Sequence, residues 1–378
     1  MPDDPGRKSA ARPYRLTAII TLITLLLTGT LLTLFQYQQL SRVMLSTGDE
    51  LFERLSLNVE TQLENIYRPP SQALNLLSLG RLPETRTLAQ RLPHLKSFAQ
   101  VLNDNPQLNS VYLGWTDGDY LMLRLLDVAQ GLNRFDAPEE ARWMAWHVQN
   151  ENGERNVTYL FLNQQLGIIE ARLMVDDGFD PRQRPWYQEA MKVDQQIVTL
   201  PYVFFSTHEF GTTLAKRAES GAVLGADLTL GRLSQALQEQ KITPSSQLLI
   251  YTADGTVIAY HDVQRLLHTA QGSSLHLKRF NQLGSTLLAT LALDGYRQER
   301  RITRELEGRR WIIQQRRIGL RGTPDTYLAV LVPEDELLAE AYRIRSESVW
   351  ISLTICLVLL PLLWFSGRIR RNSDSQAN

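Results

Sequence analysis

Two stretches without a charged side chain stand near the ends of the chain, residues 16–40 and 348–367, and between them the apolar positions pass from helical to strand spacing and back. Residues 16–35 are largely Leu, Ile and Thr with one Gly. As a helix that run is about 30 Å long, enough to cross a bilayer. It is too long for the apolar part of a cleaved signal peptide, and no small-x-small site follows Phe35, where the sequence reads QYQQL. The second run has residues 349–365 as its core, with Pro361 expected to kink a helix without ending it. Membrane-spanning helices are therefore expected at 16–36 and 348–367.

After the first run, Leu40, Val43, Met44, Leu51, Leu55, Val59, Leu63 and Ile66 recur at helical spacing and predict a long stalk helix over 37–80. Pro69 and Pro70 are expected to bend or interrupt it, because neither can donate a helical hydrogen bond. Its apolar face can pack on its own domain or, with its a/d-like spacing, against a second copy in a homodimer. Short helices broken at Pro83 and Pro93 come next. Residues 111–126 alternate apolar and polar around Asp117-Gly118, a hairpin signal. Residues 137–152 read as helical or irregular, 156–174 as two strands, and further strands are expected at Ile197, Thr212 and Ala222.

A connector helix is expected over 230–240. A second, smaller strand set follows: 247–260 with a turn at Asp254-Gly255, then 286–294, 310–320 and 326–332. A last helix begins at Pro333-Glu334-Asp335-Glu336, with Pro and acids where a helix N-terminus favours them. It is expected to run through Ala341 and Ile344 into the second apolar run, giving the proximal strands a mechanical route to the membrane.

Charge then sets the topology. Arg7, Lys8, Arg12 and Arg15 precede the first run and Arg368, Arg370 and Arg371 follow the second, so both ends are expected in the cytoplasm and the long loop outside it. Overall, 40 basic side chains balance 40 acidic ones, which leaves no basic field for a nucleic acid. The single cysteine, Cys356, excludes an intramolecular disulfide and a Cys-based zinc site.

The most specific chemistry lies in FDPRQRPWYQEA, residues 179–190. Arg184 stands two residues before Trp186 and three before Tyr187, a planar fork donor beside two aromatic faces. Such a fork holds a carboxylate better than Lys does, and the rings can cover an apolar or cationic part of a ligand. Arg184 can instead pair with a local acid such as Asp180, with Trp186 and Tyr187 in the core and Asp227 at a strand end. No catalytic constellation accompanies the motif. The six histidines (His94, His147, His208, His261, His268, His276) are scattered, and there is no H-E-x-x-H and no Gly-rich phosphate loop. His261-Asp262 is a lone HD pair and reads as a turn. Asn156-Val157-Thr158 is a sequon by chance, and the basic residues 297–304 read as a solvated hairpin face.

The motif, the strand after it and GAVLGADL at 221–228 together resemble the double Cache (PAS-like, PDC) sensor domain of bacterial membrane receptors. VYLGWTDGDYLMLR, LLIYTADGTVIAYHD and YLAVLVPEDELL are similar to further family segments in family order. The resemblance covers residues 37–347. It implies an α+β fold of two PAS-like antiparallel-sheet modules on a long N-terminal helix, flanked by two transmembrane helices. The implied divisions are a cytoplasmic tail 1–15, a stalk helix 37–80, a membrane-distal module 81–229, a membrane-proximal module 230–335, an exit helix 336–347 and a cytoplasmic tail 368–378.

The family's ligand residues fall on Phe179, Arg184, Trp186, Tyr187, Tyr202 and Asp227. In relatives that bind amino acids, the Arg and aromatic pair hold the carboxylate, and the later Tyr with two Asp residues takes the ammonium. This chain departs at Phe204, where that pattern has Asp, and at Phe179, where Tyr is common. The implied protein is a two-pass inner-membrane sensor of a small organic ligand (carboxylate, amino acid or amine), not an enzyme, with no cofactor and no metal. The residues after Gly367 are too few for a signalling domain, so the output is expected either from a separate cytoplasmic partner or from a module lost or split off. A sensor half of a cyclic-nucleotide enzyme (HD-type phosphodiesterase or cyclase) and a membrane-anchored interaction protein with a vestigial pocket are the alternatives.

Overall fold

A computed structural model describes residues 11–126, 131–151, 153–268, 276–296, 299–319 and 325–374. These fall into two compact units: residues up to Glu53 with Glu307–Arg310 and those from Pro333 onward, and Arg54–Leu306 with Trp311–Val332. The first contains the start of helix α1 (Ala11–Ser78) and, at its far end, α9 and α10.

α1 continues through Pro69 and Pro70 instead of breaking there. Pro70 cannot donate to the carbonyl of Ile66, and the side chain of Gln107 supplies the missing donor, Nε2 to Ile66 O at 3.0 Å. The tertiary hydrogen bond thus answers one of the two carbonyls that the prolines leave without a helical donor.

Next come α2 (Leu88–Arg91), α3 (Leu95–Asp104), β1 (Ser110–Gly114) and β2 (Tyr120–Leu125), with Pro83 and Pro93 in the 3₁₀ turns before α2 and α3. α4 (Gly131–Arg134), β3 (Trp143–Glu151), β4 (Glu154–Leu162), β5 (Ile168–Met174), α5 (Pro185–Ala190), β6 (Ile197–Val198), β7 (Tyr202–Val203), β8 (Phe210–Arg217) and β9 (Val223–Thr229) follow. Residues 137–152, expected helical or irregular, hold a nine-residue strand. Its first six residues are all buried, so the polar alternation that marks a half-exposed strand is missing. The distal sheet runs β5-β4-β3-β2-β1-β9-β8-β6, antiparallel throughout, with β7 also on β8.

One face of this sheet carries Val111, Leu113, Leu121, Leu123, Ala145, Leu160 and Leu224, packed with Leu74 of α1 and Leu95, Phe98 and Leu102 of α3. α3 forms because these apolar residues recur three and four apart and can be buried together. The opposite face carries Tyr112, Tyr120, Met122, Met144, Trp146 and Phe161 with Phe179 and Trp186. That aromatic face holds the site described below.

α6 (Leu230–Glu239) leads to β10 (Gln247–Thr252), β11 (Val257–Tyr260), α7 (Val263–Leu266), β12 (Leu267–His268), β13 (His276–Leu277), α8 (Thr286–Leu293), β14 (Arg300–Leu306), β15 (Arg309–Ile318), β16 (Thr326–Pro333), α9 (Glu334–Leu337) and α10 (Ala339–Asp374). The proximal sheet runs β11-β10-β16-β15-β14. Residues 286–294, expected as a strand, form α8, with the Ser285 hydroxyl accepting from Leu288 N. A short uninterrupted apolar run has no period that separates strand from helix, and the cap decides it. Leu287, Leu288 and Leu291 of α8 fill that sheet's face with Tyr251, Phe280 and Tyr327. The basic residues of 297–304 that the structure describes enter β14, none of whose residues is buried.

Among the described residues no helix is long and apolar enough to cross a membrane. Parts of both expected spans, including the side chains of residues 16–19 and 362–367, lie outside the described residues.

Candidate ligand site

Strand pairing brings the polar groups of the aromatic face into one row. Arg124 of β2 lies opposite Ser110 of β1, Ser110 opposite Asp227 of β9, and Asp227 opposite Thr213 of β8. All four are buried. Asp227 Oδ1 accepts from Tyr112 Oη at 2.5 Å and Thr213 Oγ1 at 2.6 Å, and its Oδ2 from Ser110 Oγ at 3.0 Å. Thr213 has spent its only proton on Asp227, so in its 2.6 Å contact with Tyr202 the tyrosine donates. Tyr112 can reach across because β9 has Gly225 opposite it; a Cβ there would lie 2.1 Å from the Tyr112 ring.

Burial pushes the Asp227 carboxyl up, while the Thr213 and Tyr112 hydroxyls and the Arg124 charge pull it back. Burial also raises Tyr112 and Tyr202, so both phenols remain protonated donors. Arg124 is lowered by burial.

The motif segment folds over this row. Asp180 caps the 3₁₀ turn Pro181–Gln183 by accepting from Arg182 N, and the Arg182 guanidinium is clamped on the same carboxylate from Nε and Nη2. Asp180 therefore takes Arg182 and leaves Arg184 for the interior. Arg184 is the extended residue just before α5, and its Nη2 donates to Val203 O at 2.8 Å. Its guanidinium carbon is 5.5 Å from the Tyr202 ring centre and 5.9 Å from that of Phe205.

Five of the six expected residues, Phe179, Arg184, Trp186, Tyr202 and Asp227, line one cavity. Tyr187 does not: it is buried beside Trp186, ring centres 5.5 Å apart, and is absent from the cavity wall. The remaining wall is Tyr112, Tyr120, Met122, Trp146, Phe204, Phe205 and Ser206. Tyr112, Tyr120 and Trp146 have no motif of their own; their signal is that they alternate onto the face that carries Asp227 once the strands are registered. Phe204 is buried against Gly211, where a Cβ would lie 2.1 Å from its ring, and stands edge-on to Tyr202 at 5.4 Å. A ring thus fills the place of the second carboxylate of the amino-acid pattern.

The enclosed space is about 20 Å³, room for one water, so a larger ligand needs the aromatic rim around Phe204 and Phe205 to move. An open groove of about 530 Å³ between the end of α1 and α3 is larger. It holds none of the converging polar groups, which is why the smaller cavity is the candidate. Among the described residues no cluster of three or more His, Cys, Asp or Glu side chains is placed to hold a metal ion.

No protein-family model matches the chain. In sequence it is 25% identical over 264 residues to the methyl-accepting chemotaxis protein PctB of Pseudomonas aeruginosa, covering 68% of this chain and 38% of that protein. It is 29% identical over 161 residues to adenylate cyclase 1 of Rhizobium meliloti, covering 42% and 24%. The chain thus spans well under half the length of these relatives. The receptor matched in sequence is of the kind that carries double Cache sensor domains, so the resemblance read from the motif stands. Among solved structures it resembles the ligand-binding domain of the Campylobacter jejuni chemoreceptor Tlp3 in complex with L-valine, at TM-score 0.49 and 13% identity, over 80% of this chain and 98% of that one.

Proposed function

We propose that this chain is a membrane-anchored extracytoplasmic sensor whose distal module, 81–229, binds a small organic ligand bearing a carboxylate, with an amino acid or amine as the related class. The observation that carries the reading is the convergence of Arg184, Trp186, Tyr202, Phe179 and Asp227 on one cavity. Arg184 is the carboxylate donor, and the hydroxyl-caged Asp227 with Tyr202 is the acceptor side for an ammonium. The relative PctB is named as a chemotaxis receptor, and its ligand-binding domain is described in complex with L-Arg.

Residues 16–36 and 348–367 cross the inner membrane on this reading, with 37–347 in the periplasm and both tails in the cytoplasm. Ile20, Ile23, Leu27, Leu31 and Phe35 of α1, and Trp350, Ile351 and Leu357 of α10, are all exposed, and lipid is the solvent that tolerates such surfaces. The proximal module, 230–335, and the exit helix, 336–347, carry the signal toward a cytoplasmic partner.

The test is ligand-induced stabilisation of the purified full chain in detergent, screened with amino acids, amines and small carboxylates; a ligand that binds the folded state raises the melting temperature. Arg184→Ala should then weaken binding more than tenfold, since a desolvated charge pair is worth about 2 to 5 kcal/mol. Arg184→Lys should restore little, because the fork is lost. Undiminished affinity in a folded Arg184→Ala chain removes the site. A reporter active only in the periplasm should work when fused after Asn281 and be silent after Asn378; activity at the C-terminus removes the topology.

A further inference from the structure

The cavity face carries more positive than negative charge: Arg124 is buried and Arg184 half-buried, against the one buried carboxylate of Asp227. Arg124 is off the wall of the closed cavity but on the same sheet face, in register with Ser110 and Asp227; it is only 5% exposed, and its Nε and Nη2 have no hydrogen-bond partner among the described residues. Its nearest carboxylate in the strand row, Asp227, lies two strands away, about 10 Å between backbones, and already accepts three hydroxyl bonds. The Phe135 ring, 5.4 Å from the guanidinium carbon, offers a weak cation–π contact and no acceptor. The nearby Arg134 and Glu209 answer each other at 3.8 Å in a half-exposed pair.

A second buried donor is idle on the same face. Trp146 lines the cavity and is 2% exposed, yet its indole N–H has no acceptor among the described residues. Its aromatic neighbours are Tyr120, Tyr159, Phe179 and Phe205. Buried donors without partners cost folding free energy, and a buried guanidinium does so most of all. Both donors call for an acceptor, and the guanidinium for one that carries negative charge.

We propose that the ligand of this cavity is a dicarboxylate, of the acidic α-amino acid class, whose second carboxylate is received by the Arg124 guanidinium and the Trp146 indole N–H. The inference rests on the functional reading above, in which Arg184 takes the first carboxylate and Asp227 the ammonium. With that occupant, two guanidinium groups and one ammonium meet three carboxylates, Asp227 included, and the site is neutral. A ligand that is a simple zwitterion leaves one positive charge buried and unanswered, which a desolvated site penalises. Arg124 is thereby a specificity residue acting on the far end of the ligand.

The experiment is calorimetric titration of the full chain in detergent with two near-isosteric pairs, L-glutamate against L-glutamine and L-aspartate against L-asparagine, together with L-alanine. At least one acid should bind about tenfold or more tightly than its amide. In Arg124→Gln that ratio should collapse toward one through weaker binding of the acid, with the amide little changed, while Arg184→Ala should lose both. Arg124→Lys, which keeps the charge, should retain part of the preference. Amides that bind the wild type as well as the acids overturn the inference without any variant, so a misfolded substitution cannot shield it. An unchanged ratio in folded Arg124→Gln overturns it equally. If L-alanine or the amides bind and the acids do not, the functional reading stands and this inference falls; if no carboxylate binds, the functional reading falls and takes this one with it.

Discussion

Two arginines are buried on opposite faces of the distal sheet, and the fold treats them differently. Arg91, on the helical face, is 0% exposed, and all but its Nε is answered among the described residues. Nη2 pairs with Asp119 Oδ2 at 2.7 Å, Nη1 donates to His147 Nε2 at 3.0 Å, and the guanidinium stacks 3.8 Å over Trp115. Asp119 in turn accepts from the backbone N–H of Asn150 at 2.8 Å. The segment that delivers Arg91 is itself fixed, since Thr87 and Gln90 form a reciprocal capping box at the start of α2. Arg124, on the cavity face, has two unpartnered nitrogens and no ion pair among the described residues. One buried charge closes the fold of β2 and β3 against α2; the other is held at a cost that the folded chain alone does not recover. That difference is what the proposed dicarboxylate reading of the cavity face rests on.

The comparison breaks most readily at Arg91. Arg91→Met leaves Asp119 buried without its cation and should cost about 3 to 5 kcal/mol, read as a large drop in melting temperature. Arg124→Met removes a charge without a direct partner and should change stability by less than about 1 kcal/mol or raise it. Equal losses in the two variants would end the distinction.

The next effect is a pH dependence whose main source is on the helical face. Burial, and after it the Arg91 charge, lower His147 to about 4. In the unfolded chain the imidazole titrates near 6.5, so between these values the unfolded state binds more protons. Stability should therefore be flat above about pH 6.5 and fall as the pH drops toward 4, by at most on the order of 3 kcal/mol from this group. His147→Gln, which keeps an acceptor for Arg91, should flatten that slope. His261, lowered to about 4 by its own burial, adds to the remaining slope, as do Asp180, Asp254 and Asp335, which their hydrogen-bond partners hold low. An unaltered acid limb in His147→Gln would show that His147 is not the neutral acceptor.

The smallest effect sharpens the cavity side. Gly225→Ala places a methyl against the Tyr112 ring and should destabilise by about 1 to 3 kcal/mol through overpacking. It also draws the Tyr112 hydroxyl off Asp227, so ligand affinity should fall with stability. A variant as stable as the parent would mean that Tyr112 does not need to lie over β9 to reach the carboxylate.

Local pattern was enough for much of this architecture. The Asp117-Gly118 and Asp254-Gly255 turns sit where their hairpins reverse, with Gly118 and Gly255 at φ +91° and +85°, a backbone that favours glycine. Beyond local pattern, the resemblance to the double Cache motif named five of the residues that share the cavity. Such features are legible because they depend on neighbours in the chain: a turn needs its own dihedrals, and a short helix after Pro185 aims Arg184 within four residues.

Other outcomes were decided only by packing. β3 was hidden because both its faces are buried at its start, and α8 because a short apolar run has no distinguishing period. α1 passes Pro69 and Pro70 with one of the freed carbonyls answered by Gln107, 41 residues from Ile66. Tyr187 falls off the cavity wall while Tyr112 joins it by bonding Asp227, 115 residues away. The idle donors of Arg124 and Trp146 lie further still from anything a linear pattern shows. Whether a buried group is satisfied depends on every element packed around it, and those elements meet only when strands far apart in sequence pair in one register and bring their side chains to the same face.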